Sequence, residues 1–369
     1  MLFYLRRQFL RIRAHLDMPL FIIVLLLMGV GLVTVYSATH SVGVGRLDRQ
    51  IINMLIALAI MLAVAQAAPQ KIMRYAPLFY FAGLALLIGV ALFGVTANGS
   101  RRWLSLGVVN IQPSEIMKIA MPLMLAWFFH KCEAELKLRH FAIALCILLL
   151  PTLLILKQPD LGTSLLVGAA GFFVIFFAGL PWKIMLGAAL SAIAALPLLW
   201  NFVMHDYQRR RVLTLLDPGS DPLGAGYHII QSSIAIGSGG VFGKGWLKGT
   251  QTQLEFIPEK HTDFIFAVLS EEWGLLGGGL LLLLFLALVG RGLMIAAAAP
   301  TLFSRLLAAA ISLILFLYAF VNMGMVSGIL PVVGVPLPFI SYGGTALVTL
   351  TLGIGILMSI HTHRMLVKK

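Results

Sequence analysis

Residues 141–180 read FAIALCILLLPTLLILKQPDLGTSLLVGAAGFFVIFFAGL. A helix crossing the hydrocarbon core of a bilayer takes about 20 apolar residues, and this run of forty is broken only by Lys157, Gln158, Pro159 and Asp160. The stretch is therefore predicted to be two spans joined by a hairpin. The next tight turn is expected at Leu180, Pro181, Trp182 and Lys183. In lipid the backbone must satisfy its own hydrogen bonds, which leaves helices and closed barrels. These runs are too long for barrel strands, so helix is the expected state.

Working outward, apolar runs fall at 20–37, 51–67, 77–95, 114–129, 141–156, 162–180, 184–203, 264–290, 304–328 and 343–360. The predicted fold class is all-α, a polytopic integral membrane protein with about ten transmembrane helices, read as a single domain over 1–369. Composition agrees: the chain is 60% hydrophobic and 11% charged, where a soluble domain is about half apolar and a quarter charged. Arg6, Arg7, Arg11 and Arg13 precede the first run without a convincing cleavage site, which reads as a retained signal anchor.

The net charge of +13 does not indicate nucleic acid, because the basic residues sit in loops. With the N-terminus in the cytoplasm, the cytoplasmic segments hold fifteen Lys and Arg and the short outer loops five: Arg46, Arg49, Arg101, Arg102 and Lys157. That asymmetry predicts both termini inside. The segment 204–263, with six more basic residues, is then a large outer loop; long loops translocate largely regardless of charge. Its apolar residues, such as Ile229, Ile230, Ile234 and Ile236, predict short amphipathic helices on the outer surface.

Several chemistries are excluded. No histidine opens a His-Glu-x-x-His helix, and no Gly-x-Ser-x-Gly elbow is present. Around Gly243-Lys244 a phosphate loop would need glycine where Ser238 stands and Ser or Thr where Gly245 stands. Cys132 and Cys146 form neither a disulfide framework nor a metal site.

The informative residues are charges near lipid depth, where each costs about 2.5–3.5 kcal/mol on insertion scales. Glu115 and Lys118 follow Gln112-Pro113-Ser114 at a spacing that shares one helix face. They read either as a pair that neutralises itself or as the polar lining of a groove. Gln112 or Ser114 is the candidate cap of that helix. Asp160 reads as the cap of the next helix. Asp263 ends Pro258-Glu259-Lys260-His261-Thr262 and is followed at helical spacing by Ala267, Ser270, Glu271 and Gly274. It is either a helix cap, with Thr262 an equal candidate, or a carboxylate facing a cavity above a small polar stripe. Glu271 and Glu272 lie deeper, where at least one should be paired or protonated, Lys118 being a possible partner. The segment 329–344, with Pro331, Pro336 and Pro338, cannot be regular helix and must pack on protein. It reads as a structural plug or as a rim that handles lipid.

The pieces His205-Asp206-Tyr207-Gln208-Arg209, Asp217-Pro218, Asp221-Pro222-Leu223-Gly224-Ala225-Gly226-Tyr227-His228, Gln231-Ser232 and Glu259-Lys260-His261-Thr262-Asp263-Phe264 closely resemble the SEDS family (shape, elongation, division and sporulation). Gln112-Pro113-Ser114-Glu115, Gln158-Pro159-Asp160-Leu161-Gly162-Thr163 and Pro336-Leu337-Pro338 match elsewhere. The resemblance covers essentially the whole chain, and its wording is nearer the elongation member than the division member.

The resemblance implies a peptidoglycan glycosyltransferase polymerising lipid II, a disaccharide-pentapeptide on undecaprenyl pyrophosphate, during cell-wall elongation and maintenance of rod shape. It implies a class B penicillin-binding protein as transpeptidase partner, alongside other elongation-complex membrane proteins. It also implies a bacterial cytoplasmic membrane location with the site on the outer face. The family's essential aspartate falls on Asp263, the expected general base. Glu115, Lys118, Glu259 and His261 are expected at the substrate. Arg101, Arg102, Arg209, Arg210, Arg211 and Lys244 are candidates for the pyrophosphate. No cofactor is evident, though a divalent cation such as Mg2+ would suit the leaving group. A lipid II flippase and a scaffold for a transpeptidase are the competing readings.

Overall fold

The apolar runs fold as helices. The first block comprises α1 (Met18–Thr39), α2 (Gly45–Ala65), α3 (Pro69–Phe93), α4 (Pro113–Lys131), α5 (Leu138–Lys157), α6 (Leu161–Phe177) and α7 (Trp182–Leu198). Three helices follow in the predicted large loop: α8 (Asp206–Leu216), α9 (Ala225–Gly239) and α10 (Thr250–Gln253). The last block is α11 (Ile265–Ala297), α12 (Leu302–Val326) and α13 (Thr345–Val367). This computed structural model describes residues 16–40, 45–97, 100–105, 110–158, 160–204, 206–221 and 224–367. Arg6, Arg7, Arg11, Arg13, Pro159, His205, Pro222, Leu223, Lys368 and Lys369 lie outside the described residues, as do the side chains of Arg101, Tyr207, Ala225 and Arg364. Among the described helices, α1, α2, α3, α5, α11, α12 and α13 are long and apolar enough to cross a membrane. Helices α6 and α7 are shorter apolar helices, and α4 carries Glu115 and Lys118.

Helix starts follow the sequence. Asp17 caps α1 by accepting from Leu20 N at 2.9 Å, and Asp160 caps α6 by accepting from Thr163 N at 3.1 Å, as expected. Pro69 and Pro113 open α3 and α4, where their missing N–H costs nothing. Gln112 occupies the position before α4, but neither it nor Ser114 makes the expected side-chain cap. Gln112 turns instead to Asp160 Oδ2, 3.4 Å away.

Helix α12 is the hub. It packs on α4, α6, α11 and α13, with 67% of its most apolar window buried, which is why it is hydrophobic on every face. The bundle's outward surface is apolar too, with Phe79, Leu92 and Leu153 exposed, as a lipid-facing surface requires. Helix α7 buries no residue.

Two features depart from plain helices and loops. Between α3 and α4 lies a small antiparallel meander, β1 (Val95–Ala97), β2 (Ser100–Ser105) and β3 (Asn110–Ile111), with Ala97 opposite Ser100. The intervening pair in sequence, Asn98-Gly99, is a strong hairpin signal. Helix α11 is broken at Gly274 (φ +65°). There the 240–245 segment replaces the helix's own hydrogen bonds. Lys244 N and Gly245 N each donate at 3.0 Å to the carbonyls of Glu271 and Glu272, and Leu275 N donates at 2.9 Å to Gly240 O. A Cβ on Gly243 (φ +80°) would lie 2.1 Å from Glu272 O. The glycines around Lys244 thus serve close backbone approach rather than phosphate binding.

Candidate active site

The turn 258–264 is locked at both ends by burial of Ile257 and Phe264. Phe264 stacks on His228 of α9 at 5.4 Å. The residue at the cap of α11 is Phe264, with no side-chain cap bond. Neither Asp263 nor Thr262 is therefore a helix cap; Thr262 Oγ1 donates to Glu259 Oε2 at 2.9 Å instead. Among the described residues the Asp263 carboxylate has no hydrogen-bond or ion-pair partner. It packs beside Gly334, where an added Cβ would stand 3.3 Å from Oδ2. Burial, then repulsion from Glu259, pushes its pKa up to about 6.

The 329–344 segment is non-helical and packs on protein as predicted, burying Val335, Leu337, Phe339 and Ile340. It runs as a strap beside the turn. Two uncharged residues join strap and turn, Asn322 of α12 and Ser341. Asn322 lies in an apolar run and Ser341 in the mostly apolar 329–344 segment, and composition gives no hint of either.

The expected cations are distributed unevenly. Lys244 is bound to Glu271 Oε1 at 2.8 Å and to Thr250 Oγ1 at 2.7 Å. Lys244, expected at the pyrophosphate, is here the counter-charge of Glu271, which is buried in α11. Glu271 also accepts from Gln251 N and from Thr252 N and Oγ1. Its partner is thus Lys244, not Lys118. Glu272 accepts from Ser37 Oγ and from Leu247 N. The stripe of Ala267, Ser270, Glu271 and Gly274 is buried, its helix packs on α9, and Gly239 and Gly243 come close to the backbone at Ser270 and Glu272. Arg102 lies 3.8 Å from Asp160, Arg209 donates to Asn201 O at 2.9 Å, and Arg210 is exposed on α8.

Arg46, at the start of α2, is a cation that motif reading passed over. His261 is held below the usual histidine range by burial first and then by Arg46. Burial, with Arg46 acting in the same direction, also lowers Lys260, whose Nζ donates to Thr252 O at 2.9 Å. The signal in sequence was the place of Arg46 in a short basic loop beside the same face. His261 also tilts against Tyr342, 5.6 Å between ring centroids.

Glu115 and Lys118 pair at 2.5 Å, both buried, with Lys118 Nζ 5.0 Å above the Tyr318 ring. Among the described residues Glu115 Oε2 has no hydrogen-bond partner. Tyr318 and Asn322 are one turn apart on α12 and share a face, so one helix links this pair to the Asp263 turn. Between α6, α12 and the strap lies an apolar cavity of about 290 Å³ lined by Leu166, Ala169, Leu317, Val321, Val333 and Val335.

Residues 18–366 match the FtsW/RodA/SpoVE family, described as cell cycle proteins. Peptidoglycan glycosyltransferase MrdB of Escherichia coli K12 is 54% identical over 358 residues, 97% of this chain and 96% of that protein. A solved structure described as the structural coordination of polymerization and crosslinking by a peptidoglycan synthase complex contains a chain 33% identical. The TM-score is 0.81, covering 94% of this chain and 98% of that one. The rod shape determining protein RodA of Thermus thermophilus is 30% identical with TM-score 0.72, covering 94% of this chain and 97% of that one. With its polytopic helical fold and a match along nearly its whole length, the chain belongs to the FtsW/RodA/SpoVE family, the SEDS proteins its motifs resemble.

Proposed function

We propose that this membrane protein is an inverting peptidoglycan glycosyltransferase that polymerises lipid II during cell-wall elongation, with Asp263 as general base. The observation that carries the reading is the state of that carboxylate. It caps no helix, pairs with no cation among the described residues, and is raised to about 6 by burial and Glu259. A base of that strength is ionised at neutral pH yet still takes a proton, as general-base catalysis needs. The acceptor sugar hydroxyl gives its proton to Asp263 while its oxygen attacks the donor's anomeric carbon from the face opposite the pyrophosphate. The bond to pyrophosphate breaks and its electron pair leaves with that group. One base suffices for inversion from an α-linked donor to a β-linked product.

Arg46, which bears on His261 and Lys260, is our addition to the candidate cations for the pyrophosphate, beside Arg101, Arg102 and Arg210. Among the described residues no group of three or more His, Cys, Asp and Glu is placed to hold a metal. A Mg2+, were one bound, would be held through the substrate's pyrophosphate with Glu259 as the nearby carboxylate, and would offset leaving-group charge. The apolar cavity between α6 and α12 suits the prenyl chain close to its head group, since its wall residues Val333 and Val335 flank the glycine beside which Asp263 packs.

The face carrying Asp263 is the outer one on this reading, with both termini in the cytoplasm, in the bacterial cytoplasmic membrane. A single domain accords with a family match over residues 18–366, and the 204–263 segment lies outside on the same charge-based reading. The partners are lipid II, a class B penicillin-binding protein and other elongation-complex membrane proteins; the likeness to a chain of a peptidoglycan synthase complex supports the second. A flippase would need polar groups available through the depth of the bundle. Here Lys118 pairs with Glu115, Glu271 with Lys244, and Glu272 with Ser37 and Leu247. Purified protein incubated with lipid II should produce glycan strands resolvable on a gel. Vesicle translocation of lipid II without polymer would favour the flippase.

A further inference from the structure

The Asp263 side chain accepts no hydrogen bond from the described residues, so nothing attached to the carboxylate itself sets its direction. The backbone does. Three successive carbonyls of the turn each receive a donor, two from the strap and one from α12. Tyr342 N donates to His261 O at 2.8 Å. Ser341 Oγ donates to Thr262 O at 2.7 Å. Asn322 Nδ2 donates to Asp263 O at 2.8 Å.

The two side-chain donors also hold the strap. Asn322 Nδ2 gives its second hydrogen to Val335 O at 2.7 Å, and Ser341 Oγ accepts from Leu337 N at 2.8 Å. Because both partners of the Asn322 amide group are carbonyls, turning it over would set oxygen against oxygen, and its orientation is fixed. Both residues are buried, Asn322 at 0% and Ser341 at 5% exposure, so water does not replace them. The strap's far end is clamped in turn by Gln50 of α2, which donates to Ser341 O and accepts from Gly343 N, each at 3.2 Å.

We propose that Asn322 and Ser341 are positioning residues for the glycosyl transfer. They hold the backbone of the 261–263 turn against the strap, so that Asp263 is aimed while both of its carboxylate oxygens stay free for the acceptor hydroxyl. The inference rests on Asp263 being the base. A base held by bonds to its own oxygens would lose proton affinity; one held through its main chain does not. Misplacing a reacting group by about 1 Å costs roughly 100-fold in rate, so the effect belongs in kcat, not in substrate affinity.

The test uses the purified full-length protein with lipid II, measuring kcat and KM for polymer formation. Ser341→Ala and Asn322→Leu each remove one clamp and should lower kcat about 10- to 100-fold with KM little changed. Ser341→Thr restores the hydroxyl and should recover most of the rate. Asn322→Leu risks misfolding, and the two Ser341 variants decide the matter without it. Full kcat in Ser341→Ala, a loss confined to KM, or no recovery with threonine would overturn the proposal. Asp263→Asn run in parallel separates the two claims. If it polymerises normally, the base assignment fails and this inference with it; if it is inactive while Ser341→Ala keeps full kcat, only the positioning role falls.

Discussion

Asp263 and Glu259 share one turn, and their repulsion has a measurable sign. Burial and Glu259 raise Asp263 to about 6, and a base works only when ionised. Polymerisation should therefore hold above that pH and fall away as pH drops through it. Replacing Glu259 by Gln removes the repelling charge, lowers the pKa of Asp263 and should shift the acid limb to lower pH; a limb that does not move would deny the coupling. Stability runs the opposite way. A carboxylate raised above its ordinary value costs folding energy once ionised, so the cost is absent at low pH and fully present above about pH 6. Asp263→Asn relieves it and should melt no lower than wild type at pH 8, with a gain on the order of 1–2 kcal/mol; a lower melting temperature would restore a structural role. The placing of Asp263 at the mouth of an apolar run marked it as a candidate but left it open between helix cap and cavity carboxylate, and only the family resemblance pointed to the base. Asn322 and Ser341 were not legible, because an uncharged residue among apolar neighbours reads as core until its partners are known.

The ten apolar runs were legible as elements because lipid imposes one solution on the backbone, and α1 through α7 and α11 through α13 fall on them. What periodicity missed is what helices do to one another. The break at Gly274 exists because the 240–245 segment supplies the hydrogen bonds that α11 gives up, a long-range exchange with no local pattern. The β1–β2 pairing did leave a trace, Asn98-Gly99, in a segment that reads otherwise as plain loop. Gly274→Ala forces a side chain to φ +65° and within 2.4 Å of Gly243 N. It should cost at least about 1–3 kcal/mol and speed proteolysis between residues 240 and 252; unchanged cleavage would mean the insertion is not stabilising. Filling the α6–α12 cavity with Ala169→Phe should raise KM for lipid II more than it lowers kcat, if a prenyl chain enters there. An unchanged KM would move the chain elsewhere.

For the whole molecule, orientation and activity are separate claims. Charge asymmetry between loops predicts the orientation, and Ser220, exposed in the segment after α8, reports on it. With Cys132 and Cys146 removed, Ser220→Cys should react with an impermeant thiol reagent on intact spheroplasts; labelling only after lysis would reverse the topology. The family, read first from motifs, was legible across the whole chain, while the fate of Lys244 was not, because its partner Glu271 lies 27 residues away in sequence. The central claim is that a polytopic membrane protein polymerises lipid II with the Asp263 carboxylate, which pairs with no described residue, as general base. It is tested most directly by comparing purified wild type with Asp263→Asn for glycan strand synthesis from lipid II, after confirming that the variant is folded and inserted. Loss of about 10²- to 10⁴-fold, to near background, is predicted for removal of a general base; strands of normal length made at a normal rate would contradict it.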